Sequence, residues 1–478
     1  MTSARWLVAA AFAGTVACSS IEQGIPGGGT DAGTGRGGTD AGPGGGGTDA
    51  GTGGGGTDAG PAGGATDAGP VTSTDGGTPG TGNVDAGPVD AGPVSDCDGL
   101  APASLGAMTS FSASYDSKFG VCGVPVGNGN GVLAQLVTNN PFPTPSIPMH
   151  APTFTLINAS GRVNGNIAQD AGGLVALGSG FLDWAFHSNS GSPDSSQSHS
   201  ITALNDSGFP SGVRTSFVAY APPEAWLWAD LNGGAALAGT IQVQGQKDQR
   251  RVMAFDSTGA IRWGPRELSI DSPVFGLGVD LNGRVLVVQS GYAQCSGCIL
   301  GQWFDRNGTA LTGSFTLIEG FVPGPATWFE MAPLIGGGLA LRRVDSRASG
   351  QIRGFTSTWL LTIDSGSASV QGAPAWLTSR NDTDLALARG AKAYAVLANG
   401  ADGARCTQKL ELLSPSGNSC GSFDLAMTND NSACDTWELR LGLDGTVVQH
   451  LPAQLEQALD SSGRTRSCTI RFWPAALK

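Results

Sequence analysis

A short turn motif recurs from residue 154 onward and limits the possible folds of this 478-residue chain more than any other feature. In its clearest copy, Val252–Gly259, an apolar run ends in Asp-Ser-Thr-Gly. An Asp, Asn or Ser side chain at the turn accepts hydrogen bonds from its own backbone two residues on, and Gly takes the positive-φ position. Further copies end at Gly161, Gly208, Gly308, Gly366, Gly417 and Gly463. Each copy predicts a hairpin between two strands.

A second family of turns alternates with the first. Its copies are Asn128–Gly131, Asp170–Gly173, Asp230–Gly233, Asp280–Gly283, Gly336–Gly338, Arg389–Gly390 and Leu443–Gly445. In each repeat we expect the first strand before this turn, the second after it, and the third and fourth on either side of the first-family turn. Four strands per repeat of about 50 residues is the size of a propeller blade.

The repeats therefore predict an all-β fold. Residues 97–478 are expected to form a seven-bladed β-propeller of four-stranded antiparallel blades. The blades are predicted to start near residues 120, 168, 224, 272, 327, 382 and 435.

Two runs within blades 3 and 4 carry a family resemblance. They are Phe255–Trp263 (Phe-Asp-x-x-Gly-x-x-x-Trp) and Val279–Val288 (Val-Asp-x-x-Gly-x-x-Leu-Val-Val). They resemble the bacterial SBBP-type seven-bladed β-propeller repeats, a family that implies a fold and no agreed activity. Trp263 is also similar to the docking tryptophans of propellers such as outer-membrane assembly lipoproteins, which carry that residue in nearly every blade.

Residues 1–18 predict a lipoprotein-type signal peptide. Arg5 provides the positive start, and the apolar run Trp6–Ala13 is too short to span a bilayer. Thr15-Val-Ala-Cys18 resembles a bacterial lipobox, which implies that Cys18 carries the lipid (palmitate among its acyl chains), and Ser19 implies sorting to the outer membrane. We expect a protein anchored through this lipid to the cell outer membrane, facing the periplasm or the surface. The alternative is an ordinary secretory signal with a chance cysteine.

Residues 19–96 predict a disordered Gly/Asp-rich linker. Thr-Asp-Ala-Gly begins at residues 30, 39, 48, 57 and 66, a strict nine-residue period. The segment contains almost no bulky apolar residues, so nothing offsets the conformational entropy of ordering it. Binding of Ca²⁺ by aligned Asp residues is the alternative, but calcium-binding repeats of this kind also carry apolar core residues.

The net charge of −13 belongs mainly to the linker. Residues 19–98 contain eleven acidic residues and one arginine, which leaves −4 for the chain from residue 99 onward. The predicted propeller is therefore nearly neutral and has no basic run, so we expect no nucleic-acid partner. Glycine accounts for 76 residues, which favours a turn-rich extracellular β protein.

Eight cysteines remain if Cys18 is lipidated: Cys97, Cys122, Cys295, Cys298, Cys406, Cys420, Cys434 and Cys468. An even number in an exported chain predicts up to four disulfides. Cys295 and Cys298 have the thioredoxin spacing but lie in a Gly-rich loop, so a structural loop disulfide is favoured over redox or metal chemistry. We also expect Cys97 or Cys122 to reach Cys434 or Cys468 and fasten the ring.

Catalytic motifs are absent from the sequence. The histidines are His150, His187, His199 and His450, and none has a metal-binding spacing such as H-E-x-x-H. His187 and His199 flank a polar insertion, which we interpret as a solvated loop, with a two-histidine metal site as the alternative. No Gly-x-Ser-x-Gly elbow is present. We therefore assign no catalytic residue, no metal and no cofactor.

The candidate binding residues are aromatic: Trp226, Trp228, Phe275, Trp328, Phe329 and Trp437. They precede or begin the first strands of blades 3, 4, 5 and 7, where a propeller opens onto its central channel. Together with Glu224 and Glu330 they are predicted to form a platform for sugar or peptide; the alternative is packing between blades. The sequence thus favours a monomeric, non-catalytic binding or scaffolding module for protein or glycan. The alternative is a propeller-fold carbohydrate-active enzyme, a lyase or glycosidase.

Overall fold

A computed structural model describes residues 96–116, 125–137, 153–168, 173–187, 196–220, 225–291, 294–295, 297–321, 327–345, 354–379, 385–402, 405–425, 438–451 and 465–478. These residues are almost entirely β-structure. No helix in the described ranges is long and apolar enough to cross a membrane. The predicted signal peptide, with Cys18, and the predicted linker up to residue 95 lie outside the described residues.

The strands are short and follow one another closely. In chain order they are β1 (Thr109–Asp116), β2 (Val126–Gly127), β3 (Val132–Val137), β4 (Thr153–Asn158), β5 (Val163–Ala168), β6 (Gly173–Ala176), β7 (Phe181–His187), β8 (Ser196–Leu204), β9 (Pro210–Tyr220), β10 (Ala225–Asp230), β11 (Gly234–Ile241), β12 (Gln249–Asp256), β13 (Ile261–Glu267), β14 (Val274–Val279) and β15 (Val285–Ser290). They continue with β16 (Ile299–Phe304), β17 (Phe315–Ile318), β18 (Thr327–Pro333), β19 (Leu339–Asp345), β20 (Gly354–Asp364), β21 (Ser367–Gly372), the helical turn α1 (Ala375–Thr378), β22 (Leu385–Ala388), β23 (Ala393–Asp402), β24 (Arg405–Leu413), β25 (Ser419–Asp424), β26 (Glu438–Leu441), β27 (Val447–Leu451) and β28 (Thr465–Trp473).

The described strands form five four-stranded antiparallel sheets and one eight-stranded sheet. The four-stranded sheets are β2–β5, β14–β17, β18–β21, β22–β25, and β26–β28 together with β1. The eight-stranded sheet consists of two successive meanders, β6–β9 and β10–β13, joined where Ile241 of β11 pairs with Ala219 of β9. The all-β, four-stranded antiparallel organisation predicted from the repeats is confirmed.

Four first-family turns, which begin at Asn158, Asn205, Asp256 and Asp305, form as predicted through side-chain caps, and the copy that ends at Gly463 lies outside the described residues. Asp256 Oδ1 accepts hydrogen bonds from the backbone N–H of Thr258 (2.8 Å) and of Ala260 (3.2 Å). Gly259 has φ +84°, in the left-handed region that favours glycine. The same pair of side-chain bonds is made by Asn158, Asn205 and Asp305. These acidic and amide residues are therefore turn formers.

One second-family turn was placed wrongly. Asp170–Gly173 was expected to precede the second strand of its sheet, but Gly173 begins β6, which is the first strand. The turn lies instead at residues 177–180, where the N–H of Leu177 donates to the carbonyl of Gly180 (3.1 Å). This turn has no Asp or Asn of its own. Asp206 supplies the missing acceptor and binds the N–H of Gly180 at 2.8 Å.

The last sheet is also assembled differently from the prediction. Its third strand was expected before Gly463 and its fourth after it. Instead, the strand after Gly463, β28, is the third, and β1 from the beginning of the described chain is the fourth. The register runs from Thr109 opposite Phe472 to Asp116 opposite Thr465. The sheet is thus completed by residues more than 300 positions away in sequence.

Successive sheets pack face to face, and the hydrophobic core lies between them. The first strand of each sheet or meander contacts the first strand of the next, from β2 through β6, β10, β14, β18 and β22 to β26. At the other end of this series, the N–H of Leu443, just after β26, bonds to the carbonyl of Gly127 in β2 (3.4 Å). Every residue of β15 is buried, which explains its continuous apolar run Val285–Val288.

Tryptophan side chains cover the turn glycines of the following sheet. A Cβ added at Gly308, in the β16–β17 turn, would fall 2.6 Å from the ring of Trp263 in β13. Likewise, Trp376 of α1 lies directly against Gly417 in the β24–β25 turn. Only glycine leaves room for the indole at these turns. The docking role that the resemblance implied for Trp263 thus occurs here between neighbouring sheets.

Buried charges connect the second-family turns of neighbouring sheets. Asp280 is fully buried, and its Oδ2 accepts hydrogen bonds from Arg284 Nε (2.7 Å) and from the N–H of Gly338 in the next sheet (2.9 Å). Arg284 Nη1 in turn donates to the carbonyl of Ile363 (2.9 Å). The carboxylate therefore shapes its own turn and attaches it to the adjacent one.

Candidate functional site

Three of the predicted binding aromatics lie near the beginning of neighbouring first strands. Trp226, Phe275 and Trp328 are each the second residue of a first strand, in β10, β14 and β18 respectively. These three strands contact one another in series. The aromatics lie at the end of each strand away from the second-family turn, but four, five and six positions before the residue that opens that turn (Asp230, Asp280 and Leu334), so they do not share one level. Phe275 is partly buried against the core.

The other aromatics belong to the packing around this position or lie outside the described residues. Trp228 is 5% exposed and Phe329 is 3% exposed, and both are part of the largest hydrophobic cluster. The ring of Phe329 lies 5.4 Å from that of Phe321. The side chains of Trp226 and Trp328, and the whole of Trp437, lie outside the described part of the chain. Trp228 and Phe329 therefore pack in the core, as the packing alternative expected, and the platform stays a prediction for the other aromatics.

Of the two acidic candidates, the described residues include Glu330. It lies opposite Arg342 in the register of β18 and β19, and both residues are 2% exposed. Burial of a carboxylate requires a compensating partner, and an arginine on the adjacent strand at the same level is well placed to provide one. Glu224 lies outside the described residues.

His199, which flanks the predicted solvated loop, lies in a buried aromatic stack, whereas residues 188–195 of that loop lie outside the described residues. His199 lies in β8 and is fully buried, with its ring stacked on Phe217 at 5.4 Å between centroids. Trp184 Nε1 donates to His199 Nδ1 at 3.1 Å, and His199 Nε2 lies 3.2 Å from the carbonyl of Ala219. Because Nδ1 accepts a hydrogen bond from the indole N–H, Nε2 carries the hydrogen and donates to that carbonyl. Both ring nitrogens are used, so neither can bind a metal.

The described part of the chain contains no group of three or more His, Cys, Asp or Glu residues that could hold a metal ion.

Two disulfides are described. Cys295 and Cys298 are bonded, as the loop-disulfide prediction required. Cys97 is bonded to Cys420 in β25, with a Cα–Cα distance of 5.1 Å. The expectation that Cys97 reaches Cys434 or Cys468 is therefore wrong, and the same expectation for Cys122 lies outside the described residues. Cys420 is the partner of Cys97 because residues 96–105 lie against the β22–β25 sheet. The remaining predicted disulfide cysteines, Cys122, Cys406, Cys434 and Cys468, lie outside the described residues or have side chains that do.

The sequence analysis missed Arg251, which organises the loop between β11 and β12. Its side chain is 1% exposed, and its guanidinium donates to the carbonyls of Ile241 and Lys247, to Gln246 Oε1 (3.0 Å) and to Glu267 Oε1 (3.2 Å). A buried guanidinium needs several acceptors, and the loop folds around it to supply them. The available signal was an arginine directly before the apolar run Val252–Phe255 within β12.

Burial also perturbs a tyrosine between two sheets. Tyr394 in β23 accepts a hydrogen bond from the N–H of Ile335 (3.0 Å), and desolvation raises the pKa of its hydroxyl above the ordinary value. The hydroxyl is therefore neutral and acts as a fixed link between sheets.

The chain matches no known protein family, and no curated protein matches it by sequence. Its similarities are to solved structures. Sqt1 from Chaetomium thermophilum bound to the N-terminus of the ribosomal protein L10 shares 12% identity over 76% of this chain and 98% of that chain, with a TM-score of 0.37. The β-propeller domain of the Trilobed protease from Pyrococcus furiosus shares 10% identity over 70% and 94%, with a TM-score of 0.39. Pyrococcus horikoshii acylaminoacyl peptidase shares 9% identity over 70% of this chain and 50% of that chain, with a TM-score of 0.39. At such TM-scores these likenesses do not decide what the chain binds or does.

Proposed function

We propose that this protein is a bacterial lipoprotein, anchored to the outer membrane through Cys18, whose seven-bladed β-propeller binds a protein or a glycan without catalysis. The observation that carries the binding role is that three neighbouring first strands, which contact one another in series, each have a large aromatic residue near their beginning: Trp226, Phe275 and Trp328. Tryptophan and phenylalanine provide large, stiff surfaces that suit the faces of sugars and the side chains of peptides.

Seven blades are supported by the strand order. The eight-stranded sheet contains two four-stranded meanders, and the other five sheets have four strands each. The series of contacts between first strands runs from β2 to β26, and the bond from Leu443 to Gly127 links its two ends. A closed wheel of this kind leaves only short, protected sheet edges.

The envelope location rests on the sequence. The lipobox-like Thr15-Val-Ala-Cys18 and the long polar segment after it suit a domain held away from a membrane on a tether. Replacing Cys18 with Ala should move the protein from the membrane fraction to the soluble fraction. Equal membrane association of this variant and the wild type would refute the lipid anchor.

The binding role is tested with the secreted chain from residue 19 onward on arrays of bacterial glycans and peptides. For any ligand found, Trp226→Ala and Trp328→Ala should each weaken binding by about 2 kcal/mol, roughly 30-fold, as expected for hot-spot tryptophans. Phe209→Ala is the matched control, because this phenylalanine is 66% exposed beside β9 and lies on none of the first strands. Unchanged affinity in both tryptophan variants would exclude the aromatic site, and turnover of a bound glycan would favour the enzyme alternative.

A further inference from the structure

The residues at which the described chain begins form a strap against a distant sheet. We use "strap" for residues 96–105. The Cys97–Cys420 disulfide joins the strap to β25 across a sequence separation of 323. Leu100 and Leu105 are 8% and 9% exposed and pack into the hydrophobic cluster that includes residues of β24. The strap is therefore fixed to the β22–β25 sheet by a covalent bond, and its two leucines are buried in a cluster that this sheet shares with the last sheet.

A polar cluster adds a second attachment at the very start of the strap. The carboxylate of Asp96 accepts hydrogen bonds from the hydroxyl groups of Ser414 (2.8 Å) and Ser416 and from Asn418 Nδ2 (3.0 Å). These hydrogen bonds hold the pKa of Asp96 below its ordinary value, with the largest effects from Ser416 and Ser414 and a smaller one from Asn418. The carboxylate is therefore ionised at neutral pH. All three donors lie in the turn between β24 and β25.

The strap leads directly into β1, which is the outermost strand of the last sheet. β1 is held by its ladder with β28, from Thr109 opposite Phe472 to Asp116 opposite Thr465. A strand at the edge of a sheet can be peeled away one hydrogen bond at a time when its end is pulled. A disulfide does not yield at such forces. A pull from the N-terminal side therefore reaches the Cys97–Cys420 disulfide before it reaches the hydrogen bonds between β1 and β28.

We propose that the strap is a load-bearing latch: tension entering the chain at residue 96 passes through Asp96 and the Cys97–Cys420 disulfide into the β22–β25 sheet, so that β1 stays paired with β28. This inference rests on the proposed function in one respect only: the tether proposed for residues 19–96 would be the source of the tension. Pulling on residues 19–95 then loads a covalent bond between the strap and the ring, and the strand that completes the last sheet remains unloaded.

The latch is tested by stretching single molecules of the whole chain, carrying Cys18→Ala, between handles at its two ends. If the latch opens and β1 detaches, the segment from residue 97 to residue 116 adds about 70 Å of extended chain, at about 3.6 Å per residue. The wild type should show no such step before the ring unfolds. In Cys97→Ser/Cys420→Ser the 70 Å step should appear at forces at which the wild type shows none, because no covalent bond then holds residue 97 to β25.

Cys295→Ser/Cys298→Ser is the matched control, because it removes a disulfide from a loop outside the strap; it should behave as the wild type. Adding reductant to a folded wild-type molecule under tension provides the same test should the double variant fail to fold. A 70 Å step of equal frequency in the wild type, or one equally frequent in the control variant, would overturn the latch. The measurement uses no membrane and no ligand, so its failure is distinct from failure of the anchor, which membrane fractionation of Cys18→Ala reports.

Discussion

Replacing Gly308 with alanine tests how neighbouring sheets are fitted together. The change has two costs. Gly308 has φ +82°, where an L-residue with a Cβ is strained by about 1–2 kcal/mol. The new methyl group would also fall 2.6 Å from Trp263, and overpacking of this kind costs about 1–3 kcal/mol. We therefore expect Gly308→Ala to lower the free energy of unfolding by about 2–5 kcal/mol.

A second glycine separates the two costs. Gly336 has φ +85°, but an added Cβ there meets nothing within 4 Å. Gly336→Ala should therefore show the backbone cost alone, about 1–2 kcal/mol. The assay is equilibrium urea denaturation followed by far-ultraviolet circular dichroism, comparing variants whose denaturant slopes agree.

The tryptophan supplies the decisive comparison. In the double variant Trp263→Ala/Gly308→Ala the methyl group no longer meets a ring, so the two losses should be less than additive by about 1–3 kcal/mol. If Gly308→Ala destabilises no more than Gly336→Ala, or if the double variant is strictly additive, the close approach of Trp263 to this turn does not limit the packing of the two sheets.

Three further predictions concern buried or bonded polar groups. Asp280→Ala should lower the free energy of unfolding by about 3 kcal/mol in urea titrations, because it leaves the partly buried Arg284 without its carboxylate. Trp184→Phe should cost about 1–3 kcal/mol in the same assay, because it removes the indole N–H that donates to the buried His199 Nδ1. Because the pKa of Asp96 is lowered in the folded protein, the stabilisation by its carboxylate is complete above pH 3.8, the ordinary pKa, and is lost as the pH falls through the lower pKa of the folded state. Amide exchange at residues 414–418 should therefore accelerate below pH 3.8 by more than the intrinsic pH dependence of exchange predicts, and Asp96→Asn should abolish this extra acceleration.

Local features were predictable from the sequence because their causes are local. Asp256 accepts hydrogen bonds from residues two and four positions ahead, so the turn it forms is encoded in five consecutive residues. The repetition of such turns was sufficient to predict short strands in four-stranded antiparallel sheets. The repetition did not locate the turn at residues 177–180, because the side-chain acceptor of that turn is Asp206, which belongs to another turn. The turn was predicted at Asp170–Gly173, because Asp170 has the spacing expected of the motif.

Features that depend on distant residues were not predictable in this way. The place of β1 in the last sheet and the pairing of Cys97 with Cys420 both join segments separated by more than 300 residues. The candidate aromatics could be located along the chain, since each is near the start of a first strand. Which of them pack into the core, as Trp228 and Phe329 do, depends on the neighbouring sheets and on no local pattern.

Arg389 brings the two ends of the described chain together. Its Nη1 donates to the carbonyl of Lys478 (2.7 Å) and its Nη2 to that of Gly99 (3.0 Å). The two carbonyl oxygens are therefore within roughly 8 Å of each other, the span of one guanidinium and its two hydrogen bonds. A linker of a few residues could join them, so circularly permuted forms should be obtainable by opening the chain in an exposed turn. For the same reason, the whole domain could be inserted into a surface loop of a host protein with little distortion of either.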